Sequence, residues 1–350
     1  MNKTSPYHRQ YTIDQDILTK LCTIANPGPV LILTHNNPDP DALASGAALS
    51  TLFKQAWRIQ SHLVYTGLVA RAENRAVLQN LTPAWKHSEI LTDLERYSAL
   101  ALVDSQPGAG NNSLPSNYVP HIVIDHHHPI RESLQTVAYA DVQPEVGATV
   151  TLLYQYLKEA GIVLDSALAT AMFYALKTDT RGLSRGASPE DEAVYVELLS
   201  LIDRYELIRV EQAGLSQEYF SAFSQGLHAV RMYGQAIVAY LGPMHRPDLA
   251  AEMADLLIRL ESARAVLCLG THGQLLHLSL RTEPLGEDAG LLIQKIVSPP
   301  GKAGGHGTMA GGQVPLADHE IDHLVGTIRS RLLNVLGESE ESEALLVKEI

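Results

Sequence analysis

Side chains able to hold divalent cations recur at the ends of apolar runs. Val123-Ile124-Asp125-His126-His127-His128 joins an apolar strand-like run to a carboxylate and three imidazoles. Leu31-Ile32-Leu33-Thr34-His35 leads into Asn36-Asn37-Pro38-Asp39-Pro40-Asp41, Ala101-Leu102-Val103 into Asp104, and Ala175-Leu176-Lys177-Thr178 into Asp179. Neutral imidazoles with carboxylates suit Mn²⁺, Zn²⁺ or Fe²⁺, and a carboxylate-rich set leans toward Mn²⁺ or Mg²⁺. Two ions held about 3.5–4 Å apart clamp the attacking and leaving oxygens of a phosphoester. These residues therefore read as the site of a hydrolase.

Each motif also has a bland reading. Asp39 or Asp41 could simply cap a helix after an Asn/Asp/Pro turn. Asp104 and Asp179, taken singly, could be turn residues. Three successive imidazoles after a buried strand are harder to explain by packing. One can ligate a metal, its neighbour can meet substrate, and Asp125 can orient an imidazole by accepting its second N–H. The joint occurrence of all four motifs favours chemistry.

The elements that must carry these groups alternate. Residues 30–34, 58–65, 99–103 and 121–124 read as strands, and 41–55, 147–160 and 166–176 as helices. Strand–helix alternation predicts a parallel α/β sheet covered on both faces, with ligands beyond the carboxyl ends of the strands. Residues 1–190 form the metal-binding catalytic domain on this reading, and 191–225 a helical connector opened by Ser188-Pro189-Glu190-Asp191. Residues 226–336 form a smaller α/β domain, with strands over 235–240, 265–269, 275–280 and 309–314 and a helix over 248–260. The acidic residues 337–350 read as a partly frayed tail.

Composition narrows the partners. The net charge of −13 and an aromatic content of 6% weigh against a broad basic, base-stacking surface for long nucleic acid. Bound cations would still draw a small phosphorylated substrate to an acidic chain. Cys22 and Cys268 stand apart among apolar neighbours, consistent with buried thiols in a reducing compartment. Met1-Asn2-Lys3-Thr4-Ser5-Pro6 lacks the apolar core of a signal peptide, and no run of about 18 apolar residues suggests a membrane span. The expected location is cytoplasmic, without membrane partners, and a homodimer is left open.

The four motifs, in this order and spacing, resemble those of the DHH phosphoesterase family. A second match lies downstream. His277-Leu278-Ser279-Leu280-Arg281-Thr282 followed by Gly304-Gly305-His306-Gly307 resembles the DHH-associated C-terminal domain. The resemblance implies His35, Asp39, Asp41, Asp104, His126 and Asp179 as ligands of two Mn²⁺ ions, which Mg²⁺ or Co²⁺ could replace. His35 and Asp39 would hold one ion, Asp41 and His126 the other, with Asp104 and Asp179 between them. His127, supported by Asp125, would contact the scissile phosphate or help protonate the leaving group. Arg281, Gly304, Gly305 and His306 would bind substrate, in a cleft between the domains with Asp104 and Arg281 on opposite walls. Pro40 between two acids, no nearby Arg after Asp104, and Arg181-Gly182 after Thr180 depart from the family's common pattern.

The expected activity is metal-dependent hydrolysis by attack of activated water on phosphorus. Short oligoribonucleotides or 3′-phosphoadenosine-5′-phosphate come first as substrates, as in nano-RNases. The alternatives are an inorganic pyrophosphatase or exopolyphosphatase and, with less support, a non-catalytic nucleotide sensor.

Overall fold

A computed structural model describes residues 14–316 and 320–347, and contacts divide the chain into two compact units, 1–213 and 214–350. The first unit runs α1 (Gln15–Ala25), β1 (Val30–Leu33), α2 (Pro40–Trp57), β2 (Ser61–Tyr65), α3 (Ala72–Ala76), β3 (Lys86–His87), β4 (Ala99–Val103), β5 (Ile122–Asp125), β6 (Tyr139–Val142), α4 (Thr149–Glu159), α5 (Ser166–Asp179), α6 (Pro189–Leu199) and α7 (Arg204–Glu211). Its six strands are all parallel, in the order β3-β2-β1-β4-β5-β6. The order reverses between β1 and β4. A crevice opens at such a switch point because successive connections leave on opposite sides.

The two sheet faces are covered differently. Val30, Ile32, Ala101, Val103, Ile122 and Ile124 point to the face packed by α1, α2, α4 and α5. Leu31, Leu33, Leu100, Leu102 and Val123 point to the other, where Leu94, Tyr97, Leu114 and Leu134 from irregular segments and 3-10 turns close the core. Both faces are buried, as near-continuous apolar strands require, but the long helices all lie on one side.

The second unit comprises α8 (Gln217–Ala229), β7 (Val230–Tyr233), β8 (Ala236–Pro243), α9 (Asp248–Leu257), β9 (Ala265–His272), β10 (Leu275–Thr282), α10 (Ala289–Ile296), β11 (Lys302–His306), β12 (Met309–Pro315), α11 (Ile321–Leu336) and β13 (Glu343–Leu345). Its sheet order is β11-β12-β10-β9-β8-β7-β13. Only β8 and β9, joined through α9, are parallel. Helices α8 and α9 pack one face and α10 and α11 the other.

Three expectations about organisation change. The segment 191–225 is not a free-standing connector: α6 packs against α4 and α5, α7 against α3 and α5, and α8 against β8. Of the expected frayed tail, residues 348–350 lie outside the described residues and 337–347 are tied down. Strand β13 pairs with β7, and Glu343 accepts from the Tyr233 hydroxyl at 2.8 Å. The glycine-rich run Gly304-Gly305, which from sequence alone reads as a loop, sits in β11, opposite Gly311 and Ala310 of β12. A Cβ on Gly305 would lie 2.4 Å from the Ala310 Cα, so glycine there serves the hairpin itself. Among the described residues no helix is long and apolar enough to cross a membrane.

Candidate metal centre

The predicted ligands converge at the carboxyl ends of β1, β4 and β5, at the switch point. Pro40 occupies the first turn of α2, where its missing N–H costs nothing, and Asp39 caps that helix by accepting from the Ala42 amide at 3.0 Å. The capping and ligand readings of Asp39 therefore coexist. Asp39 Oδ1 also lies 3.7 Å from His35 Nε2, which is 3.4 Å from Asp104 Oδ2. Asp104 adopts φ 56°, a sparsely populated conformation for a non-glycine residue that marks functional turns. Asp179 is not at a strand end: it is the last residue of α5, and the Arg185 guanidinium donates to its carbonyl.

His126 is the centre of the second group. Its Nε2 lies 3.9 Å from Asp41 Oδ2, 3.7 Å from Asp104 Oδ1 and 3.7 Å from Asp179 Oδ2. That nitrogen is buried and has no hydrogen-bond partner. Its other nitrogen, Nδ1, faces the Val146 carbonyl at 3.2 Å. A carbonyl only accepts, so Nδ1 carries the proton and Nε2 presents a lone pair. His35 is oriented in the same way, its Nδ1 facing the Asn36 carbonyl at 2.9 Å, but its Nε2 meets Asp104 and Asp39. Ligand atoms sharing an ion at about 2.1 Å each lie roughly 3–4 Å from one another, and these separations fit. The donor sets are His35, Asp39 and Asp104, and Asp41, His126 and Asp179, with Asp104 also near His126 and His127.

The electrostatics carry the same signature. Burial, then the charges of Asp104, Asp179 and Asp39, hold the Asp41 carboxyl well above its ordinary pKa. Burial and the charges of Asp39 and Asp104 do the same to Asp179. For Asp104, burial is outweighed by the hydrogen bond from His35 and the three nearby imidazoles, which hold it far below the usual carboxylate range. Burial also opposes ionisation of His35, yet its bonds to Asp104 and Asp39 raise it well above an ordinary imidazole. This excess of buried negative charge, with an unpartnered imidazole nitrogen facing it, is the chemistry of a divalent-cation site.

His127 differs from its neighbour. Its Nδ1 lies 2.8 Å from Asp125 Oδ1, and the side chain is about 42% exposed. Burial pulls its pKa down, but the Asp125 bond and the charges of Asp104 and Asp125 raise it to about 9. His128 is exposed.

Several supporting groups were not singled out from the sequence. The first turn of α4 aims two amides at Asp41: Thr149 N donates at 2.7 Å and Val150 N at 2.9 Å. The Thr149 hydroxyl donates to Asp104 at 2.9 Å, and Gln106 holds Asp125. Helix α4 falls within the helix expected over 147–160, but which acids its first amides meet is set by the fold. Of the predicted substrate-binding residues in the second unit, Arg281 is 7% exposed, and its guanidinium donates to Asp255 at 2.6 Å, to Ser279 Oγ and to the Leu280 carbonyl. Gly304 and Gly305 are exposed on β11, and the His306 side chain lies outside the described residues.

Residues 29–176 match the model of the DHH family, N-terminal domain. The chain belongs to the DHH family. An uncharacterized protein of Methanocaldococcus jannaschii is 34% identical over 326 residues, covering 90% of this DHH-family chain and 66% of the relative. A probable manganese-dependent inorganic pyrophosphatase of Streptococcus agalactiae is 25% identical over 186 residues, 53% of this chain and 58% of that protein. This chain thus spans less than two-thirds of the length of either relative. Among solved structures, an exopolyphosphatase-related protein from Bacteroides fragilis superposes with a TM-score of 0.72 at 16% identity, over 91% of this chain and 95% of that one. That likeness speaks to the fold.

Proposed function

We propose that this DHH-family chain is a metal-dependent phosphohydrolase acting on a small phosphorylated substrate, with phosphoanhydrides such as pyrophosphate and short polyphosphates ahead of short oligoribonucleotides and 3′-phosphoadenosine-5′-phosphate. The observation that carries the reading is the buried, unpartnered His126 Nε2 facing oxygens of Asp41, Asp104 and Asp179. The order of substrates, which reverses the one expected from sequence, is supported by the likeness to a protein named as a probable manganese-dependent pyrophosphatase.

His35, Asp39 and Asp104 would hold one Mn²⁺, or Mg²⁺, and Asp41, His126 and Asp179 the other, with Asp104 shared. Bound, such ions supply Lewis-acid stabilisation of phosphoryl oxygens and a lowered pKa for water. The chain's own residues do the rest. The α4 amides and Thr149 fix Asp41 and Asp104, so the ligand oxygens need not reorganise during reaction. His127, its Nδ1 engaged by Asp125, presents Nε2 as a proton donor to a departing oxygen.

The test is release of phosphate from pyrophosphate and tripolyphosphate, and cleavage of an RNA dinucleotide and 3′-phosphoadenosine-5′-phosphate, with Mn²⁺, Mg²⁺ or EDTA. Wild type and His126→Ala are compared. Metal-dependent turnover abolished in the variant is expected. Turnover of the dinucleotide at least tenfold faster than the anhydrides would reverse the substrate order, and no turnover of any compound would leave a binding protein.

A further inference from the structure

Gln106 makes an arrangement that the ligand set does not account for. It is 3% exposed and lies two residues beyond Asp104, where the φ 56° turn brings the chain beside the end of β5. Its Nε2 donates to Asp125 Oδ2 at 2.8 Å and to the His127 carbonyl at 2.8 Å. Its Oε1 accepts the Arg131 amide at 2.9 Å. Two acceptors face the nitrogen and one donor faces the oxygen, so the amide has one sensible orientation. Asp125, fully buried, is thereby used on both sides: Oδ2 takes Gln106 and Oδ1 takes His127 Nδ1.

We propose that Gln106 is a positioning residue for proton delivery by His127. One side chain fixes both the carboxylate that orients the imidazole ring and the backbone carbonyl of the same histidine. Without its NH₂ group, Asp125 Oδ2 becomes a buried acceptor lacking its donor, which favours rotation of the carboxyl away from His127. The ring then loses the contact that directs Nε2 at the leaving oxygen. Gln106 also ties the loop at Arg131 to β5, so a purely structural role is the competing explanation. The two differ in their coupling to His127.

This inference rests on the hydrolase reading, and the experiment separates the two. Full-length chain with Mn²⁺ is assayed as wild type, Gln106→Met, His127→Ala and the double variant, on whichever of pyrophosphate or the RNA dinucleotide wild type turns over faster. Gln106→Met keeps the side-chain length and removes the donors. Positioned acid catalysis contributes about 10²–10⁴-fold, so Gln106→Met is expected to lower kcat by about 10–100-fold with KM within about twofold. In the His127→Ala background the same change is expected to cost less than about threefold. Multiplying effects in the double variant, or a defect confined to KM, would overturn the proposal. If Gln106→Met does not fold, Gln106→Glu, which keeps the acceptor for Arg131 and loses the donors, replaces it in the same cycle. A wild type without turnover refutes the hydrolase reading, whereas an active wild type with multiplying effects refutes only the role of Gln106.

Discussion

Gly147→Ala is the substitution that should most directly show whether the α4 turn organises the metal centre. Gly147 has no positive φ, so alanine meets no backbone penalty and the effect isolates packing. A Cβ there would lie 2.6 Å from Thr180 Cγ2 and 3.1 Å from both Asp191 Oδ2 and the Gly186 carbonyl. Ordinary contact begins near 3.4 Å, so Thr180 or the turn must move by about 0.8 Å. Thr180 cannot rotate away cheaply, because its hydroxyl donates to the Leu176 carbonyl at 2.6 Å and accepts from Leu183 N at 3.0 Å. Nor can the turn retreat freely, since Gly147 N donates to the buried Asp191 at 2.6 Å. The displacement falls on Asp179 next to Thr180, or on Val146 and Thr149, which hold His126 and Asp41. Overpacking of this kind costs about 1–3 kcal/mol. Disturbing groups that orient ligands typically weakens metal binding by about 10–100-fold. Mn²⁺ titration calorimetry and denaturant unfolding of the metal-free chain measure the two effects. Gly214→Ala, with open space around its Cβ, is the control, expected within about 0.5 kcal/mol of wild type. Wild-type Mn²⁺ affinity in a folded Gly147→Ala protein would refute the role given to this turn.

Three more expectations concern the metal-free centre and the second unit. In the metal-free chain Asp41, Asp179, His35 and His127 all have raised pKa values, so the folded state holds protons that the unfolded chain has released. Their contribution to stability is therefore lost as pH rises from about 4 toward about 9, while the thermal stabilisation by Mn²⁺ grows over that range; a gain from Mn²⁺ that shrinks with rising pH would contradict this. Truncation after Gly337 removes β13 and leaves the Tyr233 hydroxyl without Glu343, an expected loss of about 1–3 kcal/mol in denaturant unfolding, and an unchanged midpoint would restore the frayed-tail reading. Asp255→Ala takes a carboxylate from the buried Arg281 guanidinium and should cost about 3 kcal/mol; a neutral result in the same assay would mean that Ser279 and the Leu280 carbonyl suffice.

The strands that carry ligands were legible because they are buried on both faces and bounded by polar turns. Strand β4 falls on its expected residues, β1 ends one residue early and β5 lies one residue later. Others hid for specific reasons. Strand β6 contains Asp141, 5% exposed, whose partners Tyr156 and Gln143 donate from outside the strand, so its sequence reads as a polar connection. Strand β11 is rich in glycine and becomes a strand only by pairing with β12. Strand β13 lies in an acidic stretch whose Glu343 meets Arg231 and Tyr233 more than a hundred residues earlier. The candidate ligands stood out because each is an acid or an imidazole following an apolar run. Gln106 and Thr149 were not, since a neutral side chain acquires meaning only from what it touches, and Thr149 meets Asp104 across 45 residues.

What a run of three histidines cannot disclose is which imidazole does what, and here the acceptor behind each ring decides. His35 and His126 direct Nδ1 at backbone carbonyls, of Asn36 and Val146. A carbonyl only accepts, so it fixes the ring and leaves Nε2 as the atom that faces the carboxylates. The raised pKa of His35 comes from the other side, from Asp104 and Asp39, the candidate ligands that would share a cation in place of that proton. His127 directs Nδ1 at a buried carboxylate instead. A negative acceptor stabilises the imidazolium, so His127 keeps its second proton to higher pH than an ordinary imidazole. On the proposed reading, adjacent imidazoles on one strand end take different tasks, one backed by a carbonyl at Val146 and the other by a carboxylate at Asp125. Exchanging the acceptor by Asp125→Asn should therefore depress proton delivery by His127 while leaving Mn²⁺ binding through His126 in place.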